Sequence, residues 1–196
     1  MEGNVYNTVT IGTQDWMAEN LKTTKYSDKT DIPFVPGEME YIALTTPGYY
    51  WKFNDIAGIY GGLYNWYSIE TASNGGRNLC PTSWHVPTDA EWTTLRDYLG
   101  GESVAGGKLK ETGLTHWWSP NEGATNETGF TALPGGLRFD DGTYFVIGGN
   151  GYWWSSTELS TTTYAWYGRM TYDITYVYRD SISKLYGFSV RCVRDL

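Results

Sequence analysis

The sequence has few basic residues, and this shortage argues against two large classes of partner. It contains 14 Lys and Arg against 22 Asp and Glu, which gives a formal net charge of -8. The basic residues are scattered along the chain rather than clustered. Nucleic-acid binding depends on grouped Lys and Arg that neutralise phosphates, and anionic membrane surfaces attract the same groups. We therefore expect neither a nucleic-acid partner nor a membrane-surface partner.

Long apolar runs are also missing. No stretch approaches the roughly 20 apolar residues that a membrane-spanning helix needs. The first segment, MEGNVYNTVTIGTQDW, lacks the basic start and the apolar run of a signal peptide. The composition is rich in Thr, Tyr and Gly and poor in Lys. We expect an extracellular or cell-surface location, with any export signal absent from this chain and no membrane insertion by it.

Cysteine and histidine are rare. The chain has only Cys80, Cys192, His85 and His116, and neither a C-x-x-C nor an H-x-x-x-H spacing occurs, which argues against a zinc site. Each cysteine is the other's only partner, and both lie beside apolar residues of expected strands. We expect a disulfide between them, with two free buried thiols as the alternative, because sequence does not give the Cα separation that a disulfide requires.

One loop supplies the oxygen-rich side chains that calcium prefers. SPNEGATNETGF contains Asn121, Glu122, Asn126 and Glu127, but without the spacing of an EF-hand. The same residue types commonly cap loop amides in Asx and Ser/Thr turns. We expect no cofactor, with calcium at these four residues as the alternative.

The segment CPTSWHVPTDAE, residues 80–91, combines a cysteine, a histidine and two carboxylates. A catalytic interpretation needs a nucleophile, a base in reach and an orienting group. However, Thr88 to Glu91 forms a capping box, which accounts for Asp89 and Glu91 at a helix N-terminus. We expect His85 to lie at a strand end and donate to backbone, and we expect no catalytic residue. No glycosidase-type carboxylate pair and no phosphate-binding loop is evident either.

The elements expected from the pattern belong to one domain spanning residues 1–196. A hairpin is predicted over 9–17, with Trp16, Met17 and Leu21 against the core. A helix is predicted from the capping box to Gly100-Gly101, and a shorter one from Ser103 to Glu111. A two-residue primed turn is predicted at Asp141-Gly142. The C-terminal segment predicts an antiparallel meander with breaks near Asp173 and at 180–184, in which Phe188, Val190 and Cys192 face the core.

Seven segments with distinctive motifs run almost from end to end: IGTQDWMAENLKTTKYSD (11–28), LYNWYS (63–68), CPTSWHVPTDAEWTTL (80–95), GGKLKETG (106–113), TNETGFTALPGGLR (125–138), YWWSSTE (152–158) and GFSVRCVRD (187–195). In this order they resemble the Fibrobacter succinogenes major paralogous domain family. That family is similar to the C-type lectin-like fold, in the version shared with formylglycine-generating, sulfatase-modifying enzymes and with the variable proteins of diversity-generating retroelements. The resemblance implies an α+β, C-type lectin-like fold of antiparallel strands, one or two short helices and much irregular loop.

Two activities of those relatives are not implied for this chain. The modifying enzymes carry paired active cysteines before the last strand, where this sequence has no cysteine. The lectins hold calcium with Glu-Pro-Asn or Gln-Pro-Asp loops, and neither tripeptide is present; Ser119-Pro120-Asn121-Glu122 is only a distant likeness. The resemblance therefore implies the scaffold without the oxidase chemistry and without calcium-dependent sugar binding.

Aromatic residues are abundant, with 17 Tyr and 10 Trp, in the Tyr, Ser, Gly and Asn mixture that recognition loops use. In the retroelement relatives the variable surface corresponds to residues 159–186 here. The candidate ligand-binding residues in that stretch are Tyr164, Trp166, Tyr167, Arg169, Tyr172, Asp173, Tyr176, Tyr178 and Arg179. On a meander several of them must instead pack inward.

Three functions remain open. The first is a non-catalytic recognition or adhesion domain, expected to be monomeric, that binds a protein or glycan at a cell surface. The second is a structural building block of a larger cell-surface protein, and the third is a modifying enzyme.

Overall fold

The computed structural model describes residues 3–50, 58–145, 147–160 and 163–196. Within these ranges short strands alternate with short helices and with long irregular connections. The elements are β1 Thr8–Ile11, β2 Gln14–Met17, α1 Glu38–Tyr41, β3 Tyr49–Tyr50, β4 Leu63–Asn65, a 3-10 turn Trp66–Ser68, α2 Thr71–Asn74, α3 Asp89–Tyr98, α4 Glu102–Leu109, β5 Leu137–Arg138, β6 Tyr144–Phe145, β7 Asn150–Glu158, β8 Tyr164–Thr171, β9 Tyr178–Ser183, β10 Gly187–Phe188 and β11 Val193–Asp195.

These strands form three antiparallel sheets, in the orders β1-β2-β11, β3-β4-β10-β5-β6 and β7-β8-β9. The α+β class is therefore confirmed. The N-terminal hairpin is also confirmed, because Val9 pairs with Trp16, and Trp16, Met17 and Leu21 are all buried. Strand β11 joins the same hairpin with Val193 opposite Trp16, so the first and last strands share one sheet.

Helix α3 begins at the expected capping box. The Thr88 hydroxyl accepts a hydrogen bond from the Glu91 amide, and the Glu91 carboxylate accepts one from the Thr88 amide. Past the other end Gly100 and Gly101 have φ of 100° and 101°, a conformation that glycine adopts without a Cβ penalty. Both ends of the helix are thus determined by local residue chemistry.

Helix α4 contains two glycines because other backbone segments lie directly against it. A Cβ on Gly106 would lie 2.3 Å from the carbonyl oxygen of Tyr176, and one on Gly107 would lie 2.5 Å from that of Gly123. The Gly107 amide also donates to the Thr175 carbonyl. The two glycines lower the intrinsic helix propensity, but because they have no side chains the loop that leads into β9 packs directly against the helix.

The substitution Gly106→Ala is expected to lower the free energy of unfolding by about 1–3 kcal/mol, because the new methyl group must displace the Tyr176 backbone. On an open helix the same change is stabilising by up to about 1 kcal/mol. Urea unfolding monitored by tryptophan fluorescence measures the difference. Ser103→Ala, on the exposed side of the same helix, is the control and is expected to change stability by less than about 0.5 kcal/mol. If Gly106→Ala stabilises the protein, the Tyr176 backbone does not lie close to residue 106.

The β5-β6 connection differs from the prediction. Phe139 and Thr143 are joined by a backbone hydrogen bond, so three residues, not two, form the loop, and the prediction of a two-residue primed turn is wrong. The Asp141 carboxylate accepts hydrogen bonds from the Thr143 amide and hydroxyl, and Gly142 has a φ of 85°. A glycine in this left-handed conformation is typical of three-residue hairpin loops.

The C-terminal meander is confirmed only in part. Strands β7, β8 and β9 pair in sequence, with the expected break around Asp173, but β9 continues through Asp180 to Ser183, so the predicted break at 180–184 begins too early. The chain then leaves this sheet, because β10 and β11 belong to the other two. Phe188, Val190 and Cys192 are buried as expected, and the two residues between them, Ser189 and Arg191, are buried as well. Both faces of this last segment are thus covered.

Three buried cations hold the irregular segments together. Lys110, Arg138 and Arg191 are all 0 % exposed. Lys110 Nζ donates to three backbone carbonyls, and the two guanidinium groups also donate to carbonyls from distant segments. Burial lowers the pKa of Lys110 to about 8 and that of Arg191 to about 9. These side chains thereby donate hydrogen bonds to backbone carbonyls that have no partner within a helix or sheet, as buried carbonyls require.

Candidate functional site

The candidate residues on β8 and β9 are divided between the two faces of their sheet. Trp166 pairs with Ser181 and Gly168 with Arg179, so these four residues share one face. Tyr167 pairs with Asp180 and Arg169 with Tyr178, on the opposite face. This division follows from the two-residue repeat of a strand. The aromatic stretch therefore forms two separate groups of side chains rather than one surface.

On the first face Trp166, Arg179 and Asp89 form a closed set of contacts. The Arg179 guanidinium lies 3.5 Å from the Trp166 ring centroid, and its Nε and Nη2 donate to the two Asp89 carboxylate oxygens at 2.6 and 2.8 Å. These hydrogen bonds to Asp89 are the main cause of the raised pKa of Arg179. Because Asp89 is the first residue of α3, the set ties the outermost strand to the helix.

On the second face Arg169, Tyr176 and Tyr178 form what we call the tyrosine–arginine cluster. The rings of Tyr176 and Tyr178 are stacked at 5.6 Å with an interplanar angle of 22°, and the Arg169 guanidinium lies 4.5 Å from the Tyr178 ring centroid. Tyr176 is 40 % exposed, and the other two side chains are partly exposed. Stacked rings and an arginine over an aromatic face are the kind of group that forms binding hot spots.

The backbone under the cluster is firmly attached to α4. The Thr175 hydroxyl donates to the Ser103 carbonyl at 2.6 Å, and the Val177 amide donates to the Glu102 carbonyl at 3.0 Å. Val177 itself is buried in the core that contains Trp92. The two tyrosines on either side of Val177 are therefore presented from a fixed support.

The remaining four candidate residues belong neither to the cluster nor to the Trp166–Arg179–Asp89 contacts. Tyr167 is only 8 % exposed and packs on Phe188 at 5.0 Å, so its expected place on a contact face is wrong: it points into the core. Tyr172 packs edge-on against Trp118, and Asp173 accepts a hydrogen bond from the Thr171 hydroxyl. Tyr164 is 44 % exposed but sits at the other end of β8, about 16 Å along the strand from Arg169.

The two cysteines are joined in a disulfide. Cys80 and Cys192 are both 0 % exposed, their Cα atoms are 6.0 Å apart, and the bridge spans 112 residues. No free cysteine remains in the chain, whose only two cysteines are these. Neither sulfur is therefore available as a nucleophile.

His85 contacts a carboxylate rather than backbone, which corrects the expectation for its side chain. Its Nε2 lies 2.5 Å from one Glu91 oxygen, while the other Glu91 oxygen accepts from the Thr88 amide and hydroxyl. Burial raises the pKa of Glu91, but these hydrogen bonds outweigh it and hold the pKa below its usual value. The pair thus extends the capping box.

The four calcium candidates make separate contacts. Asn121 donates to the carbonyls of Glu111 and Gly113, Asn126 forms two hydrogen bonds with Thr131, and Glu127 pairs with Lys108. Glu122 lies near Lys110, whose Nζ donates to its backbone carbonyl. In the part of the chain that the structure describes, no group of three or more His, Cys, Asp and Glu side chains is arranged to hold a metal.

A groove of about 250 Å³ lies between α2 and the segment before α3, and sequence reasoning did not find it. Its lining combines an aliphatic base with polar side chains: Ile69, Thr71, Gly76, Arg77, Asn78, Leu79, His85, Val86 and Ser156. Arg77 and His85 are already paired with Asp28 and Glu91. Nothing in the sequence joins Ser156 to the other lining residues, which is why no motif pointed to the groove.

Comparison with known protein families gives a match over nearly all of the chain. The model of the Fibrobacter succinogenes major domain matches residues 9–194. The chain belongs to the Fibrobacter succinogenes major domain family. No curated protein matches it, and no solved structure matches it. The description of the family names a domain and no activity, so membership alone assigns no ligand to the tyrosine–arginine cluster.

Proposed function

We propose that this Fibrobacter succinogenes major domain is a non-catalytic recognition or adhesion domain that binds a protein or glycan ligand at a cell surface through the tyrosine–arginine cluster. The observation that carries the proposal is the stacked and partly exposed pair Tyr176 and Tyr178 beside Arg169. In contrast, Arg179 on the other face is committed to Asp89.

The energetics favour such a cluster as a binding surface. A tyrosine contributes a large apolar area at the entropic cost of only two side-chain torsions. Because Tyr176 and Tyr178 already stack on one another and stand on a hydrogen-bonded support, little further ordering is needed when a ligand binds.

The proposed fold and location agree with this function. We propose one C-type lectin-like domain over residues 1–196, supported by the pairing of β11 with the N-terminal hairpin. The Cys80–Cys192 disulfide supports an oxidising, extracellular setting. No helix in the described ranges is long and apolar enough to cross a membrane. A monomeric, cofactor-free domain is the simplest form of the proposal.

The absence of catalysis is part of the same proposal. The thiols are consumed in the disulfide, and Glu91, the partner of His85, is also bonded to Thr88. An enzyme of the modifying type needs reactive thiols.

A second candidate function is a structural building block of a larger cell-surface protein. It is favoured by apolar side chains elsewhere on the surface, since Leu114 is 57 %, Trp118 50 % and Ile59 47 % exposed. Exposed apolar side chains of this kind suit contact with a neighbouring domain.

Tyr176→Ala is expected to weaken ligand binding about 30-fold, the effect of losing a hot-spot side chain worth about 2 kcal/mol. The measurement is binding to a glycan array and to an array of cell-surface proteins, followed by affinity determination on the strongest signal. Thermal unfolding should be nearly unchanged, because the side chain is 40 % exposed.

Tyr98→Ala is the matched control for that comparison. Tyr98 is 66 % exposed, lies on α3 and has no part in the cluster. If both variants lose binding equally, or if Tyr176→Ala binds as tightly as the wild type, the ligand does not bind at the tyrosine–arginine cluster. Two blank arrays would favour the structural role.

A further inference from the structure

Arg169 differs from the other arginines of the chain. Of the seven, six donate at least one hydrogen bond from the side chain, namely Arg77, Arg96, Arg138, Arg179, Arg191 and Arg194. Within the described residues, the Arg169 guanidinium makes no hydrogen bond and no ion pair, and its Nε is buried without a partner. Its contact is with the Tyr178 ring.

A buried donor without an acceptor is costly in the free protein. A desolvated N–H normally has a partner in a native structure, and exceptions call for a specific reason. Asp180 is an acidic residue on the same face, two positions beyond Tyr178, which is the partner of Arg169 in the pairing register of β8 and β9. Its carboxylate accepts a hydrogen bond from the Ser181 amide at 2.7 Å and forms no ion pair with Arg169 within the described residues. The fork of donors on Arg169 is therefore left for a ligand.

We propose that the tyrosine–arginine cluster binds the carboxylate of an acidic saccharide, a uronate residue. This inference rests on the proposed recognition function and names the chemical class of its ligand. A guanidinium offers two parallel donors that match the two oxygens of a carboxylate. The uronate carboxylate supplies acceptors for the guanidinium N–H groups of Arg169 that face solvent.

The neighbouring tyrosines favour a saccharide over an acidic peptide as the bearer of that carboxylate. The rings of Tyr176 and Tyr178 are stacked, Tyr176 is 40 % exposed, and the Arg169 guanidinium lies over the Tyr178 ring, so aromatic and cationic groups adjoin at this surface. The face of a pyranose ring is flat and presents C–H groups, and its uronate carboxylate projects from the edge of the ring. In the proposed complex the sugar ring contacts the exposed tyrosine and its acid group contacts Arg169.

The net charge of -8 makes this local arginine necessary. At ionic strengths near 0.1 M, charges farther than about 10 Å are largely screened, so short-range contacts with Arg169 outweigh the repulsion of the distant carboxylates. Asp180 occupies the position diagonal to Arg169 in the pairing register, about 7–8 Å away, and its negative charge is therefore expected to weaken the binding of an anionic ligand.

The test is calorimetric titration with tri-galacturonate and tri-glucuronate, each as the free acid and as the neutral methyl ester. The wild-type domain is expected to bind at least one acid about 10-fold or more tightly than its ester, in line with a charge-assisted bidentate contact. Arg169→Gln should abolish the difference, Arg169→Lys should retain only part of it, and Asp180→Asn should tighten binding of the acid alone.

Several results would overturn the inference. They are equal affinity for acid and ester, an acid affinity unchanged in Arg169→Gln, and no binding of any of the four probes. The domain could instead bind a neutral glycan or a protein and lose that binding in Tyr176→Ala. This result would contradict the uronate inference but support the proposed recognition function. Thermal unfolding of each variant verifies that the comparison is made on folded protein.

Discussion

Loss of the Cys80–Cys192 disulfide is expected to lower the free energy of unfolding by about 4–5 kcal/mol. The bridge closes a loop with a sequence separation of 112, and a cross-link over that length removes much conformational entropy from the unfolded chain. Both cysteines are fully buried in the same core cluster, so the bridge also joins the segment before α3 to the C-terminal segment. Urea unfolding of the double variant Cys80→Ala/Cys192→Ala, compared with the wild type, measures the effect.

Wild-type protein unfolded with and without a phosphine reductant is the control. Because reduction alters no other atom, it separates the cross-link from the small voids left by alanine. The two measurements should agree within the roughly 1–2 kcal/mol that burial of two thiols adds. A change of less than about 1 kcal/mol in both would contradict the assignment of a structural bridge.

Arg138→Met is the substitution expected to have the next largest effect, a loss of about 3–5 kcal/mol in the free energy of unfolding from acceptors left without donors. The Arg138 guanidinium donates to the carbonyls of Val35, Gly37 and Gly142, and it lies 3.8 Å from the Tyr41 ring centroid. Methionine fills a similar volume but leaves three acceptors without donors, two of them in fully buried contacts. Thermal and chemical unfolding both measure this loss.

Arg138→Lys separates charge from geometry at this position. Lysine keeps the positive charge near the aromatic rings but cannot reproduce the planar set of donors. An intermediate loss is expected, between those of the wild type and Arg138→Met. If Arg138→Met is nearly neutral, the three carbonyls find other partners and the loop anchor proposed for this residue is incorrect.

Features determined by neighbouring residues were the most predictable from sequence. The capping box depends on residues three apart, Thr88 and Glu91, and the helix end depends on two adjacent glycines. The N-terminal hairpin likewise follows from alternation around Gly12. In each case the signal and the structure involve the same few residues.

Features that depend on which distant segments meet were less predictable. Alternation indicates strands near the C-terminus, but not that β10 and β11 leave the sheet of β9, because their partners in β4 and β2 lie more than 100 residues earlier. The sequence predicts Tyr167 on the contact face because aromatic composition does not show which alternate positions of the strand face Phe188. The buried cations are invisible in the same way, since their acceptors are backbone carbonyls without any sequence signature.

The sequence predicts which segment contains the candidate site, but it does not predict which face of the sheet each of its side chains lies on. Residues 159–186 do contain the tyrosine–arginine cluster, yet only the structure separates it from the Trp166–Arg179–Asp89 contacts. Gly106 offered an overlooked signal, because a glycine inside a helix often marks the close approach of another backbone.

Footprinting by side-chain oxidation and mass spectrometry shows directly which residues of the domain a bound ligand covers. The domain is labelled alone and when saturated with the ligand that gives the strongest array signal. We expect the ligand to protect Tyr176 and Tyr178 while the exposed Tyr98 reacts as before. Protection of the exposed Trp118 or Leu114, with Tyr176 and Tyr178 reacting as in the free domain, would contradict recognition by the tyrosine–arginine cluster.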